Sequence, residues 1–70
     1  MNRPDFDRYL LALKAWAENT LGWRRVKARS PMVAPHTFTV TGYKDGMAQH
    51  FEYSPADPED PKMPDGSEWR

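Results

Sequence analysis

An α+β fold is what these 70 residues predict, with one amphipathic N-terminal helix packed on a three-stranded antiparallel sheet in the order αβββ. Three observations carry that expectation. Residues 4–21 repeat apolar side chains at helical spacing, residues 37–53 alternate around an Asp-Gly pair, and residues 24–29 alternate more weakly between them. A lone hairpin is barely stable in water, so the helix has to supply the other half of the core.

The helix is read over residues 4–21, "PDFDRYLLALKAWAENTL". Pro4 has the fixed φ suited to a first turn, and Asp5 and Asp7 favour the positive end of the helix dipole. Steps of 100° gather Phe6, Tyr9, Leu10, Leu13, Trp16, Ala17 and Leu21 into one arc of roughly 140°. Leu11 is the apolar residue left outside it. Gly22 is placed to end the helix in the left-handed conformation, with Trp23 folding back on the last turn.

The first strand is read in "WRRVKARSP", residues 23–31. Simple alternation puts Arg24, Val26 and Ala28 on the core side and Trp23, Arg25, Lys27 and Arg29 on the other. "PMVAP" is expected to be a loop or irregular edge, because neither proline can donate to a ladder.

The hairpin "TFTVTGYKDGMAQHFEY" carries the strongest local signal. Asp45-Gly46 suits a two-residue turn that needs positive φ at both positions, which sets Lys44 opposite Met47 and Phe38 opposite Tyr53. One face then holds Phe38, Val40, Met47, Phe51 and Tyr53; the other holds Thr37, Thr39, Thr41, Tyr43, Ala48, His50 and Glu52. A one-residue slip would invert this sorting, so the register is specified.

Residues 54–70 read as a flexible, extended, Pro-rich acidic tail beyond a single domain at 1–53. Pro55, Pro58, Pro61 and Pro64 stand among acids, a composition too polar to offset the cost of ordering the chain. Met63 and Trp69 are its exceptions, and are candidates for docking.

Charge is balanced in total but not in place. Arg24, Arg25, Lys27 and Arg29 form a run with no acid, whereas the tail holds Asp57, Glu59, Asp60, Asp65 and Glu68 against Lys62 and Arg70. The open sheet face is therefore the candidate binding surface, built from Trp23, Arg25, Lys27, Arg29, Thr39, Thr41, Tyr43 and His50. Its cations and hydroxyls suit oxyanions, and Tyr43 and Trp23 offer stacking planes.

Little points to catalysis. There is no cysteine, so thiol chemistry and thiolate metal sites are excluded, and no disulfide is available. Serines 30, 54 and 67 stand beside proline or in the tail, with no nucleophile elbow, and the four glycines are too scattered for a phosphate loop. His36 and His50 would lie roughly 16 Å apart along the strands, too far to share a metal. The Glu59–Asp60 pair is expected to be too mobile for acid–base work. The expectation is no enzyme, no metal and no cofactor. No apolar run approaches the roughly 20 residues of a membrane span. The N-terminus carries acids and lacks a signal core, so the protein is expected to be cytoplasmic and not membrane-bound.

A helix followed by three antiparallel strands over residues 6–53 resembles, in topology, the first part of a double-stranded-RNA-binding domain, with "PHTFTV" where that domain has a strand. The family's second, lysine-rich helix is central to its phosphate contacts, and this chain has its acidic tail there instead. The reading that follows is a small non-enzymatic regulator, inhibitor or accessory subunit that occupies a partner protein's surface. The alternative is a nucleic-acid-binding module using the basic strand 24–29 and the open face. Homodimerisation through a sheet edge is also expected, since only charges guard the first strand.

Overall fold

The computed structural model describes residues 2–30 and 37–70. The expectations placed on "PMVAP" and on His36 lie outside the described residues. A helix, α1 (Arg3–Trp16), continues into one π turn (Ala17–Leu21) and is followed by β1 (Arg24–Arg29), β2 (Phe38–Lys44) and β3 (Met47–Tyr53). The strands form one antiparallel sheet in the order β1-β2-β3, as the alternation predicts. Among the described residues no helix is long and apolar enough to cross a membrane.

The helix starts at Arg3, one residue before the position that Pro4 and the acids suggest. Asn2 is its cap: the Asn2 Oδ1 accepts the Asp5 amide at 2.9 Å, satisfying one of the donors that every helix N-terminus leaves open. Pro4 sits within the first turn, where a missing amide costs nothing. At the other end the helix widens instead of closing as an α-turn. The Gly22 and Trp23 amides both donate to the Ala17 carbonyl, with Gly22 at φ 72° in the left-handed region predicted for it.

Tyr9, Leu13 and Ala17, each four residues from the last, form the fully buried line of the helix. They meet Val26 of β1 and Phe38 and Val40 of β2. The Phe38 ring lies 4.9 Å from Tyr9 and 5.8 Å from Phe6. Leu11 is 66% exposed, in keeping with its place outside the apolar arc.

The β2–β3 register is the one the Asp-Gly turn dictates, from Lys44–Met47 to Phe38–Tyr53. Asp45 and Gly46 have φ of 53° and 78°, the pair of positive values such a turn requires.

β1 departs from simple alternation. Arg24 pairs with Tyr43, but Lys27 pairs with Thr41, so two residues of β1 (Arg25 and Val26) stand opposite Gly42 alone. This is a β-bulge, with Arg25 at φ 53°. Its cause is legible afterwards: strict alternation would have turned the Arg24 guanidinium toward the core. The bulge sends Arg24 outward and still buries Val26 at 4% exposure. It also moves Trp23 off the open face. The Trp23 ring packs 5.6 Å from Phe51 on the core side and lies across Gly42.

The last seventeen residues differ most from expectation. Far from extending into solvent, they pack against the helix and the inner face of the sheet. Pro61 is fully buried and Met63 is 3% exposed inside the core cluster. The helix backbone lies closest to β1, which leaves inner-face side chains of β3 to be covered by this segment. The Tyr9 and Tyr53 hydroxyls both donate to the Lys62 carbonyl, at 2.6 and 3.0 Å. Burial, and then the neighbouring Tyr53, push the Tyr9 phenol well above its ordinary value.

A turn then reverses the chain. The Gly66 amide donates to the Met63 carbonyl and the Met63 amide to the Ser67 carbonyl, both at 2.8 Å, with Gly66 at φ 88°. Asp65 accepts from the Ser67 hydroxyl at 2.6 Å and from the Trp16 indole at 3.2 Å. The Ser67 hydroxyl and amide and the Trp16 indole hold its carboxyl below the usual range. Trp69 then meets Tyr9 edge-on at 5.6 Å, and Arg70 reaches Asp5 at 3.4 Å. Residues 65–70 thus run back along α1 from Trp16 to Asp5. The lengths agree: five extended residues and eleven helical ones each span roughly 17 Å.

Candidate functional site

Antiparallel partners share a face, so the observed pairings define the open side of the sheet. They make three rows, each with a cation on β1 and a hydroxyl-bearing residue on β2. Arg24–Tyr43–Ala48 is the first, Lys27–Thr41–His50 the second and Arg29–Thr39–Glu52 the third. Successive rows stand about 7 Å apart along the strands, two residues at strand rise. The bulge keeps the first row in step by absorbing one residue of β1.

Of the residues expected here, Lys27, Arg29, Thr39, Thr41, Tyr43 and His50 lie on this face together. Trp23 does not: it belongs to the inner layer, covering Gly42 and Phe51. Arg25 is exposed, but as the bulged residue it has no cross-strand partner of its own. Arg24 takes the expected place of Arg25. The sign available in the sequence was the misfit itself, a guanidinium assigned to a core face, which one bulge corrects. Met63 and Trp69 are docked on their own chain, Met63 within the core and Trp69 against Tyr9.

Among the described residues no carboxylate pairs with Arg24, Arg25, Lys27 or Arg29. Asp60, Asp65 and Glu68 of the last segment are engaged with Lys62 and with the helix side of the molecule. Lys62 holds Glu68 at 2.6 Å and Asp60 at 3.4 Å, and these contacts, led by the Glu68 hydrogen bond, raise its ammonium above the ordinary value. At the hairpin end of the face, Arg24, Arg25, Tyr43, Asp45 and Gly46 line a shallow depression. The Tyr43 ring is 45% exposed there. The arrangement can bind an anionic surface through three spaced cations, hydroxyl donors and one aromatic plane.

Comparison with models of protein families, with curated proteins and with solved structures finds no match for this chain.

Proposed function

We propose that the protein is a small non-enzymatic binding protein, a regulator, inhibitor or accessory subunit, which docks its open sheet face on an acidic surface of a partner protein. The observation that carries this reading is the line of Arg24, Lys27 and Arg29, held in step by the bulge and left without carboxylate partners among the described residues. Cations about 7 Å apart match alternate side chains of an extended acidic segment, whose own two-residue rise is the same. Overall neutrality, with an isoelectric point near 6.7, favours a local acidic patch over a long polyanion, which would attract a strongly basic domain.

A second reading, single-stranded nucleic acid, draws on the Tyr43 ring beside Arg24 and Arg25, a stacking plane flanked by phosphate donors. One experiment separates the two. Affinity capture from the source cell is run with the native protein and with an Arg24→Glu, Lys27→Glu, Arg29→Glu variant, alongside retention on a single-stranded nucleic-acid column. Stoichiometric recovery of a protein by the native chain alone, weakening with salt, is expected. Retention on the column at low salt, abolished in the variant, would replace the first reading with the second. Equal capture by both proteins would refute the role of this face.

A further inference from the structure

The sheet has two edges, and they are guarded differently. β1 carries the bulge and the run of cations, both of which resist pairing with another strand. β3 carries neither. Its seven residues, "MAQHFEY", pair regularly with β2 throughout and contain no proline or lysine. A two-residue turn closes on a hydrogen-bonded pair, here Lys44–Met47, so Gln49, Phe51 and Tyr53 also turn their amides toward β2. Ala48, His50 and Glu52 therefore turn theirs outward. Among the described residues none of these three has a backbone hydrogen bond to the last segment, which covers the inner layer and leaves the edge open. All three are exposed.

We propose that β3 pairs with β3 of a second copy of this chain, antiparallel about a two-fold axis at His50, to give a continuous six-stranded sheet. This register sets Ala48 opposite the second copy's Glu52 and His50 opposite His50. All outward amides and carbonyls of the three residues are then used, in about six hydrogen bonds. No Lys, Arg or acid faces a residue of its own sign across the new seam. On the inner side Gln49 meets Phe51, extending the apolar layer. The same operation at β1 would oppose cations to cations across a bulge, which like-charge repulsion disfavours. A second copy is thus the occupant whose strand length, charge and symmetry fit this edge. In the dimer the two open faces merge, and the β1 stripes stand about 24 Å apart, five strand spacings.

The test is the mass of the full chain in solution by sedimentation or light scattering, over concentrations up to about 1 mM, corresponding to binding as weak as about −4 kcal/mol. A concentration-dependent dimer is expected. Two variants address the edge. His50→Pro removes an amide that points away from β2, so the chain's own ladder keeps its bonds while the seam loses both bonds at its axis. His50→Lys sets two ammonium groups against each other across the axis and should weaken the dimer at least tenfold (about 1.4 kcal/mol). Far-UV circular dichroism reports whether each variant is folded; should His50→Pro unfold, His50→Lys alone decides. Amide exchange of Ala48, His50 and Glu52 should slow as concentration rises. A native chain that stays monomeric throughout, or a dimer of unchanged affinity in folded His50→Lys, overturns the proposal.

Discussion

Lys62 matters to this fold through its carbonyl oxygen, which accepts from both the Tyr9 and Tyr53 phenols and so ties the helix, β3 and the last segment at one point. Tyr9→Phe removes one of the two donors and should lower stability by about 1 kcal/mol in a denaturant titration. It should also change the alkaline limb of stability. The Tyr9 phenol is held above its ordinary value, first by burial, so the folded chain keeps a proton that the unfolded chain releases. The stabilisation it contributes is whole below about pH 10 and is lost as pH rises beyond that toward the folded value. Thermal melts from pH 9 to 12 should therefore fall less steeply for Tyr9→Phe than for the native protein. Gly42 is constrained in another way. A Cβ there would stand 3.1 Å from the Trp23 ring and 3.2 Å from the Arg24 carbonyl, and the second of these belongs to the backbone that leads into the bulge. Gly42→Ala should cost on the order of 1–2 kcal/mol, read as a lowered denaturation midpoint at unchanged slope.

At the level of elements, the hairpin was fully legible and β1 only partly so. Asp45-Gly46 set the turn, and the turn set every pairing of β2 with β3. For β1, residue alternation has no means of counting a bulge: it leaves the Arg24 guanidinium on the core face, a misfit that signals an irregularity without saying where in the strand the extra residue stands. For the final segment composition alone misleads, because it leaves out the partners that order the chain. Four prolines and five acids suggest disorder, yet "PDGS" is a turn-forming stretch, and Met63 and Trp69 stand on either side of it with apolar side chains. Buried Tyr9 also needed an acceptor that neither helix nor sheet supplies. Met63→Ala should cost about 2–5 kcal/mol, a large share of the stability of so small a domain. A chain ending at residue 53 should lose cooperative thermal unfolding, since that cut removes Met63, Pro61 and both phenol contacts at once.

Across the whole molecule, charge is sorted by layer. Among the described residues, cations without carboxylate partners occupy the open face of the sheet, while Asp60 and Glu68 pair with Lys62 and Asp65 accepts from the helix indole of Trp16. The charges that the fold pairs and those that the proposed binding face presents are thus different ones. An Arg24→Ala, Lys27→Ala, Arg29→Ala protein should match native stability to within about 0.5 kcal/mol in calorimetry, because the three exposed side chains make no ion pair among the described residues. A larger loss would mean that their aliphatic stems cover apolar surface that the fold requires. The basic character of this face was readable from residues 24–29. Its division into three rows was not, because that depends on the one place where the strand loses step.

That place can be restated as a matter of insertion and deletion. With Arg25 removed, Arg24, Val26 and Lys27 would face Tyr43, Gly42 and Thr41 in unbroken succession, with the same side chains inside and out. Arg25 is thus a residue the ladder can spare, and its left-handed backbone would go with it. Deleting any single residue from β2 would instead throw one half of that strand onto the wrong face. A scan of one-residue deletions, scored for soluble folded protein, should show tolerance at Arg25 and failure throughout 38–44. The chain would then carry, in the strand that bears its cations, a single position at which its length can vary by one without a change of fold.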